Sequence, residues 1–357
     1  MKSLQKKSFC FQEGNHRDRD VIWIHFPKDE FLLNHLKQFV KPKWSRTQKA
    51  WYVLDIKYHR NLFDLRAKAI GKKLYNNINA INQPHFQKYV DTLRLKAYSD
   101  NTIQIYASEF GQFLATLKSF DANQLNQERL RSYFIYCVET LKLKENHLHS
   151  RINAVKFYYE KVLLRNNFFI EIPRPKKPST LPKAITQTDI VKMFATVNNL
   201  KHLLMLKLCY GMGLRVSEIV NLKITDIDGN NMQVLVSQAK GKKDRYVNLP
   251  HSVLELLRDY YKKYRPQIYL FEGQRGGAYS ARSLQAVFKK ALRMANINKA
   301  VGIHSLRHSY ATHLLQVGVD ISFIKELLGH KDIKTTLIYT KLANKNISNI
   351  KSPLDDL

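Results

Sequence analysis

The sequence has few cysteines and no long apolar run. Cys10, Cys137 and Cys209 lie far apart without a CxxC pair, so neither a disulfide framework nor a zinc site is predicted. No apolar run reaches the roughly 18 residues that a membrane-spanning helix needs. The opening "MKSLQKKSFCFQEGNHRDRD" also lacks the apolar stretch of a signal peptide. These absences argue against a membrane or secreted protein and predict a cytoplasmic one.

Acidic residues are scarce relative to basic ones. The sequence has 59 lysines and arginines against 29 aspartates and glutamates, and the net charge of +30 is spread along the chain. This excess predicts a polyanionic partner, because each neutralised phosphate releases condensed counterions, and it argues against a small acidic substrate. The alternative is a basic surface that binds no nucleic acid.

Residues 1–80 combine strand and helix patterns in a chain long enough for two or three domains. "VIWIHF" puts Ile22, Ile24 and Phe26 on one face of a strand, "DEFLLNHLKQF" predicts a helix, and "KWSRTQKAWYVLD" predicts a turn into a second strand. The pattern indicates a small α+β module. Trp44 and Trp51 either contact DNA or fill a core beneath a solvated turn, together with the basic residues around them: Lys41, Lys43, Arg46 and Lys49.

Residues 83–172 have a helical pattern throughout. Ser99 and Asp100 can cap a helix whose apolar stripe consists of Ile103, Tyr106, Phe110, Phe113 and Leu117. Further helices are predicted near Gln127 to Leu141 and Asn146 to Leu164. A four-helix unit is the simplest packing for them.

Residues 173–185 form a proline-rich, basic linker. Prolines deny this segment a helix and favour an extended form: Pro173, Pro175, Pro178 and Pro182. Basic side chains accompany them: Arg174, Lys176, Lys177 and Lys183. Such a strap is suited to crossing a phosphate backbone.

Residues 186–340 alternate helices with one hairpin. Its strands are predicted at Met232 to Val236 and Arg245 to Leu249, on either side of a turn rich in lysine and glycine. "GMGLRVSE" lacks the third glycine of a dinucleotide-binding loop and follows a helix, so a nucleotide-binding loop is not predicted. A turn that delivers Arg215 to the start of a new helix remains.

Near the end of the chain, two histidines, an arginine and a tyrosine recur within helical patterns. His304 and Arg307 are three residues apart and project from one helix face. Gly329 ends a later helix with His330 just beyond it, and Tyr339 follows on another helix. Taken singly, each residue is better explained as a capping histidine, a core tyrosine or a basic group at a helix end.

Together with Arg215 and the hairpin lysines, this series resembles the catalytic domain of the tyrosine site-specific recombinases, the phage integrase family. "YGMGLRVSE", "HSLRHSYATHLL", "LLGHKDIKTT" and "YT" carry the resemblance across residues 186–340. Residues 83–172 resemble the family's helical, SAM-like core-binding domain, and residues 1–80 loosely resemble its arm-site-binding modules. The implied fold is mainly α, with a small β-hairpin or sheet in an α+β catalytic domain.

The resemblance implies phosphate-binding arginines and a tyrosine nucleophile. Guanidinium groups of Arg215 and Arg307 suit this role, because they contact phosphate bidentately and stay charged. They would stabilise the charge that builds on the phosphate oxygens without a metal ion. Tyr339 would form a 3′-phosphotyrosyl bond that conserves the energy of the broken linkage, so no cofactor is expected.

The resemblance also assigns the proton transfers. Lys240 in the hairpin turn would protonate the leaving 5′-oxygen, with Lys242 and Lys243 as alternatives. His304 would handle the tyrosine proton, and His330 would hydrogen-bond the scissile phosphate.

We therefore expect a mobile-element integrase that acts on double-stranded DNA as a homo-tetramer, with accessory DNA-bending proteins as further partners. The tail, residues 341–357, is expected to dock on a neighbouring subunit. The expected DNA-contacting residues are Lys176, Lys177, Lys183, Lys242, Lys243, Arg245, Arg282, Thr102 and Arg151. The alternatives are a type IB topoisomerase, Xer-like resolution of chromosome dimers, DNA inversion and a non-catalytic DNA-binding protein.

Overall fold

The computed structural model describes residues 8–165, 182–237, 244–274 and 277–341. Two compact units make up the chain, one drawn from Met1–Leu54 and Thr180–Leu357 and the other from Asp55–Ser179. The described residues are mostly helical with two small antiparallel sheets, which confirms the predicted fold class. In this part of the chain, no helix has the length and apolar character needed to span a bilayer.

An antiparallel sheet and one helix form the N-terminal part. The elements are β1 (Cys10–His16), β2 (Arg19–His25), α1 (Glu30–Phe39), β3 (Lys43–Ser45) and β4 (Ala50–Leu54), with sheet order β1-β2-β4-β3. Ile22 and Ile24 are buried as predicted, but Val21 and Trp23 on the opposite face are buried too. Strand β2 is therefore covered on both faces. Trp44 on β3 is 48% exposed, so it is not a core residue of this sheet.

Helices alone build the unit drawn from Asp55–Ser179, within its described part. They are α2 (Lys57–Leu62), α3 (Lys72–Asn76), α4 (Gln83–Leu95), α5 (Asp100–Leu117), α6 (Gln127–Glu139) and α7 (Glu145–Phe157), with a π-helical turn at Tyr158–Val162. Ser99 caps α5 as predicted, because its Oγ accepts the backbone N–H of Thr102 at 3.3 Å. The sequence placed the start of the helical domain at Gln83. In the structure α3 already packs on α5, and Ile78 is buried in the same core as Phe110.

The C-terminal part surrounds a central helix. Its elements are α8 (Gln187–Ala195), α9 (Leu200–Gly211), α10 (Val216–Asn221), β5 (Ile227–Asp228), β6 (Gln233–Val236), β7 (Arg245–Asn248), α11 (His251–Tyr264), α12 (Ala281–Met294), α13 (His304–Gln316), α14 (Ile321–Leu328) and α15 (Lys334–Leu337), which runs into a 3-10 helix at Ile338–Lys341. Helix α9 packs against α8 and α10 to α13. The predicted hairpin is confirmed by β6 and β7, where buried Val234 pairs with buried Val247.

Candidate active site

A tight turn between α9 and α10 presents Arg215. Gly213 has a φ of 58°, and a Cβ at this position would lie 2.4 Å from Cδ1 of Tyr310, so the turn requires glycine. Arg215 is the N-cap of α10. Glu218 accepts the backbone N–H of Arg215 at 2.8 Å through Oε2, and Nη1 of Arg215 at 2.7 Å through Oε1. Local geometry thus fixes this guanidinium beside its counterion.

Glu218 is shared with Arg245 of β7. Nη1 and Nη2 of Arg245 donate to Oε1 and Oε2 of Glu218 at 3.1 and 2.9 Å, and its Nε donates to the carbonyl of Leu327 at 3.0 Å. Burial alone would raise the pKa of Glu218, but hydrogen bonds from Arg245 and Arg215 outweigh it and hold that pKa below its ordinary value. The sequence predicts that Arg245 contacts DNA. Three of its N–H groups instead bind protein acceptors, which favours a structural role.

Arg307 on α13 is the most buried charged group of the site, at 4% exposure. Its Nη1 donates to the carbonyl of Gly213 at 2.7 Å and stands 4.0 Å from Glu218. Its Nη2 donates to the carbonyl of Leu328 at 2.6 Å and to Nε2 of His330 at 3.1 Å. Burial lowers the pKa of Arg307 to about 9, so the group still carries its charge at neutral pH.

His330 is held between Arg307 and Thr336. Arginine can only donate, so Nε2 of His330 accepts from Arg307, and we infer that the imidazole proton is on Nδ1. Nδ1 then donates to Oγ1 of the fully buried Thr336 at 2.9 Å. Burial and the charge of Arg307 lower the pKa of His330 to about 4, so the ring is neutral at pH 7. Because a hydroxyl both donates and accepts, Thr336 can support either tautomer.

Tyr339 lies on the 3-10 helix and is 2% exposed. Its hydroxyl is 3.0 Å from Nδ1 of His308, and its ring stacks on that of His330 at 6.4 Å between centroids. Burial raises the pKa of Tyr339, while Arg307 and Arg215 act in the opposite direction. The phenol is therefore protonated at neutral pH.

His304 begins α13 and is exposed. Burial of part of the ring and the charges of Arg307 and Arg215 lower its pKa. Among the hydrogen bonds of the described residues, the one made by the Tyr339 hydroxyl is with His308 and not with His304. Sequence reasoning missed this contact, and its signal was the second histidine of "HSLRHS".

The arrangement joins an anion-binding site to a hydroxyl nucleophile. Arg215 and Arg307 supply fixed positive charge, and Tyr339 supplies an oxygen next to neutral imidazoles. Among the described residues, no His, Cys, Asp or Glu side chains group together in a way that could hold a metal ion.

Comparisons with known proteins give the family. The model of the phage integrase family matches residues 183–346, which include every residue from Arg215 to Tyr339. Tyrosine recombinase XerA of Pyrococcus horikoshii is 32% identical over 272 residues, covering 75% of this chain and 92% of that protein. The chain belongs to the phage integrase family. It is a tyrosine recombinase, an enzyme that breaks and rejoins DNA strands.

Other relatives agree with this membership. Tyrosine recombinase XerC of Bacillus subtilis is 29% identical to this recombinase over 290 residues, which are 75% of this chain and 95% of that protein. A lambda integrase dimer bound to a COC′ core site has the same fold, with a TM-score of 0.61 at 16% identity over 75% of this chain and 98% of that chain.

Five predicted site residues lie outside the described part of the recombinase. They are the candidate proton donor Lys240 and four residues expected to contact DNA: Lys176, Lys177, Lys242 and Lys243. Lys183 is described, and its Nζ donates to the carbonyl of Ala300 at 3.4 Å. Arg282 is exposed in the first turn of α12. Lys183 and Arg282 therefore both lie on the protein surface.

Two further candidates of the recombinase lie in its helical unit. Arg151 is 3% exposed; its Nε is bonded to Glu109, and its Nη1 donates to the hydroxyl of Tyr133 at 2.7 Å. The expected DNA contact of Arg151 is thus disfavoured by burial. Thr102 lies in the first turn of α5, where its Oγ1 is 2.9 Å from Oγ of Ser99.

Proposed function

We propose that this recombinase is the integrase of a mobile DNA element and cuts its DNA through a 3′-phosphotyrosyl intermediate on Tyr339. The observation that carries the proposal is the convergence of Arg215 and Arg307 on Glu218, beside His330 and the tyrosine. A protein that only binds DNA has no need of a buried tyrosine at this place.

The two arginines bind the scissile phosphate. Attack on a phosphodiester adds negative charge to its non-bridging oxygens, so fixed donors lower the barrier. The Arg215 side chain is 18% exposed and can contact DNA, whereas the Arg307 side chain is only 5% exposed. Glu218 neutralises part of their mutual repulsion, which keeps both charged groups in one site before DNA arrives.

His330 hydrogen-bonds the same phosphate. Its Nε2 accepts from Arg307 in the DNA-free protein, so the imidazole proton must move from Nδ1 to Nε2 before this nitrogen can donate to a phosphate oxygen. Thr336 stays bonded to Nδ1 in both tautomers by reversing the direction of its hydroxyl. Thr336 is therefore a positioning residue for His330.

The oxygen of Tyr339 attacks phosphorus and the P–O5′ bond breaks. Lys240 protonates the leaving oxygen, with Lys242 and Lys243 as the alternative donors from the same turn. Because the phosphotyrosyl ester retains the energy of the cut bond, a 5′-hydroxyl from a partner strand can reverse the reaction without ATP. No cofactor is needed for this cycle.

The substrate of the proposed enzyme is double-stranded DNA in the cytoplasm. Two cuts in each of two duplexes require four subunits, so the working species is a homo-tetramer with residues 341–357 docked on neighbouring subunits. Residues 83–172 and 186–340 each contact the duplex, and the basic linker of residues 173–185 adds positive charge suited to its phosphate backbone. Accessory DNA-bending proteins would assist where the arm and core sites are separate.

The N-terminal residues 1–80 favour an integrase over dimer resolution or inversion. An arm-binding module reads a second sequence, so selection of duplexes from a random library by the intact protein should return two unrelated motifs. Trp44→Ala removes an exposed aromatic ring among basic residues and should weaken one motif only. A single motif, unaffected by Trp44→Ala, would favour the Xer-like or inversion alternatives.

Strand exchange separates recombination from topoisomerase activity. The core motif is the selected motif that the arm-binding module does not read. Two labelled duplexes that carry this core motif should yield recombinants, and a duplex without it should yield none. Relaxation of arbitrary supercoiled plasmid by monomers, without any recombinant product, would favour the type IB topoisomerase.

A further inference from the structure

The hydroxyl of Tyr339 has a specific neighbour whose chemistry matches its proton. Nδ1 of His308 lies 3.0 Å from the phenolic oxygen, on the α13 face that packs against the 3-10 helix. We propose that His308 is the base that holds the hydroxyl of Tyr339 and takes its proton as the oxygen attacks phosphorus. This inference rests on the proposed role of Tyr339 as the nucleophile.

The direction of the hydrogen bond follows from the charge state of the ring. A neutral His308 with its proton on Nε2 presents a lone pair at Nδ1, and the phenol donates to it. Burial, with His304 and Arg307 as neighbouring groups, lowers the pKa of His308 to about 4. The ring is therefore an acceptor, not a cation, throughout the neutral pH range.

Because of the groups around His308, its affinity for a proton depends on whether DNA is bound. His304 and Arg307 face it from α13, Tyr339 faces it from the 3-10 helix, and His330 approaches from the loop after α14. Positive charge dominates this set, so an imidazolium is disfavoured while the site is empty. A phosphodiester bound to the arginines brings a negative charge that offsets theirs. It thereby raises the affinity of His308 for a proton when the proton must move.

The proton transfer balances with the rest of the reaction. The phenolic O–H bond breaks and its proton goes to Nδ1 of His308, while the Tyr339 oxygen bonds to phosphorus. The P–O5′ bond breaks, and the leaving oxygen takes a proton from the hairpin lysine. In religation each proton returns: the imidazolium restores the phenol and the incoming 5′-hydroxyl restores the lysine.

This assignment differs from the one that resemblance implied, in which His304 handles the tyrosine proton. His304 lies one helical turn before His308, at the exposed start of α13. Its position beside Arg307 fits a contact with the bound phosphate. The hydrogen bond to the phenol belongs to His308, which is half-buried and in direct contact with the attacking atom.

The test compares His308→Asn, His308→Ala and the wild type in single-turnover cleavage of a nicked duplex that carries the selected core motif. Asparagine places an oxygen near the position of Nδ1 and keeps a hydrogen bond to the phenol, but it takes no proton. If His308 is the base, both variants should bind this duplex normally and cleave it on the order of 10²-fold more slowly, the usual contribution of a general base. Wild-type cleavage should rise with pH to a plateau, and His308→Asn should lose the plateau.

Two further variants make the outcome decisive. His313→Asn repeats the substitution on α13 at a histidine that bonds Tyr210, away from the phenol, and should cleave within about twofold of the wild type in the ordinary range for a distant change. His304→Asn should slow cleavage but keep the plateau. Cleavage by His308→Asn at the wild-type rate, or loss of the plateau in His304→Asn alone, would overturn the assignment. Adducts formed without Tyr339 would instead contradict the proposed function itself.

Discussion

Glu218 binds Arg215 twice, at its backbone N–H and at its guanidinium, and it accepts two further hydrogen bonds from Arg245. The carboxylate is 5% exposed, so the arginines are held by a charge that water barely reaches. The candidate phosphate-binding arginines are thus held by a buried carboxylate. A change in the charge of Glu218 should therefore alter the stability of the folded protein.

Replacing Glu218 by glutamine should destabilise the protein strongly. Breaking a buried ion pair by removing one partner leaves uncompensated charge, here on two arginines, and costs about 3 kcal/mol of unfolding free energy. Urea unfolding measures this loss. Glu326→Gln, on the exposed face of α14, is the matched control and should change little. Equal stability of the two variants would contradict the role of Glu218.

The same carboxylate should make stability depend on acid pH. The pKa of Glu218 is lower in the folded protein than in the unfolded chain, where it is about 4.3. Its contribution is therefore complete above that unfolded value and is lost as the pH falls through the lower folded value. Between pH 6 and pH 3, the stability difference between wild type and Glu218→Gln should narrow. A constant difference would exclude this linkage.

Gly213→Ala should disturb the turn that carries Arg215. The positive φ of 58° and the approach of Tyr310 to 2.4 Å leave no room for a Cβ, and the carbonyl of Gly213 binds Arg307. Strain and overpacking should cost roughly 1–3 kcal/mol of stability. Gly302→Ala is the control, since a Cβ there meets no atom within 4 Å. Comparable effects in urea unfolding would refute the steric argument.

Replacing either of the two proposed phosphate-binding arginines by lysine should impair DNA cleavage more than DNA binding. Arg215→Lys and Arg307→Lys keep the charge but lose the planar fork, and loss of one donor to a developing anion typically slows the reaction by about 10²-fold. Affinity for the selected duplex should fall far less. Arg258→Lys, at an exposed position of α11, controls for the substitution itself. Equal losses of binding and cleavage would indicate that the arginines only hold the DNA phosphate backbone and do not stabilise the reacting phosphate.

The local parts of this architecture were predictable from sequence. Ser99 at a helix start, valines that alternate in the hairpin, and glycines before Arg215 and His330 each act through neighbours a few residues away.

Partners distant in sequence were not predictable. Arg245 meets Glu218 across 27 positions, Arg151 meets Glu109 across 42, and His308 meets Tyr339 across 31. A basic residue in a basic chain gives no sign of whether it will face DNA or a buried carboxylate. Tertiary packing therefore determines the partners of Arg245 and Arg151, and it brings His308 rather than His304 to the phenol.

The most direct measurement of the central claim is covalent adduct formation by Tyr339→Phe on a nicked duplex that carries the selected core motif, resolved by denaturing electrophoresis. Phenylalanine keeps the buried ring and removes only the attacking oxygen, so DNA binding should survive and the adduct should disappear. Wild-type protein should form the adduct equally well in EDTA. An adduct formed by Tyr339→Phe at the wild-type level would contradict the account.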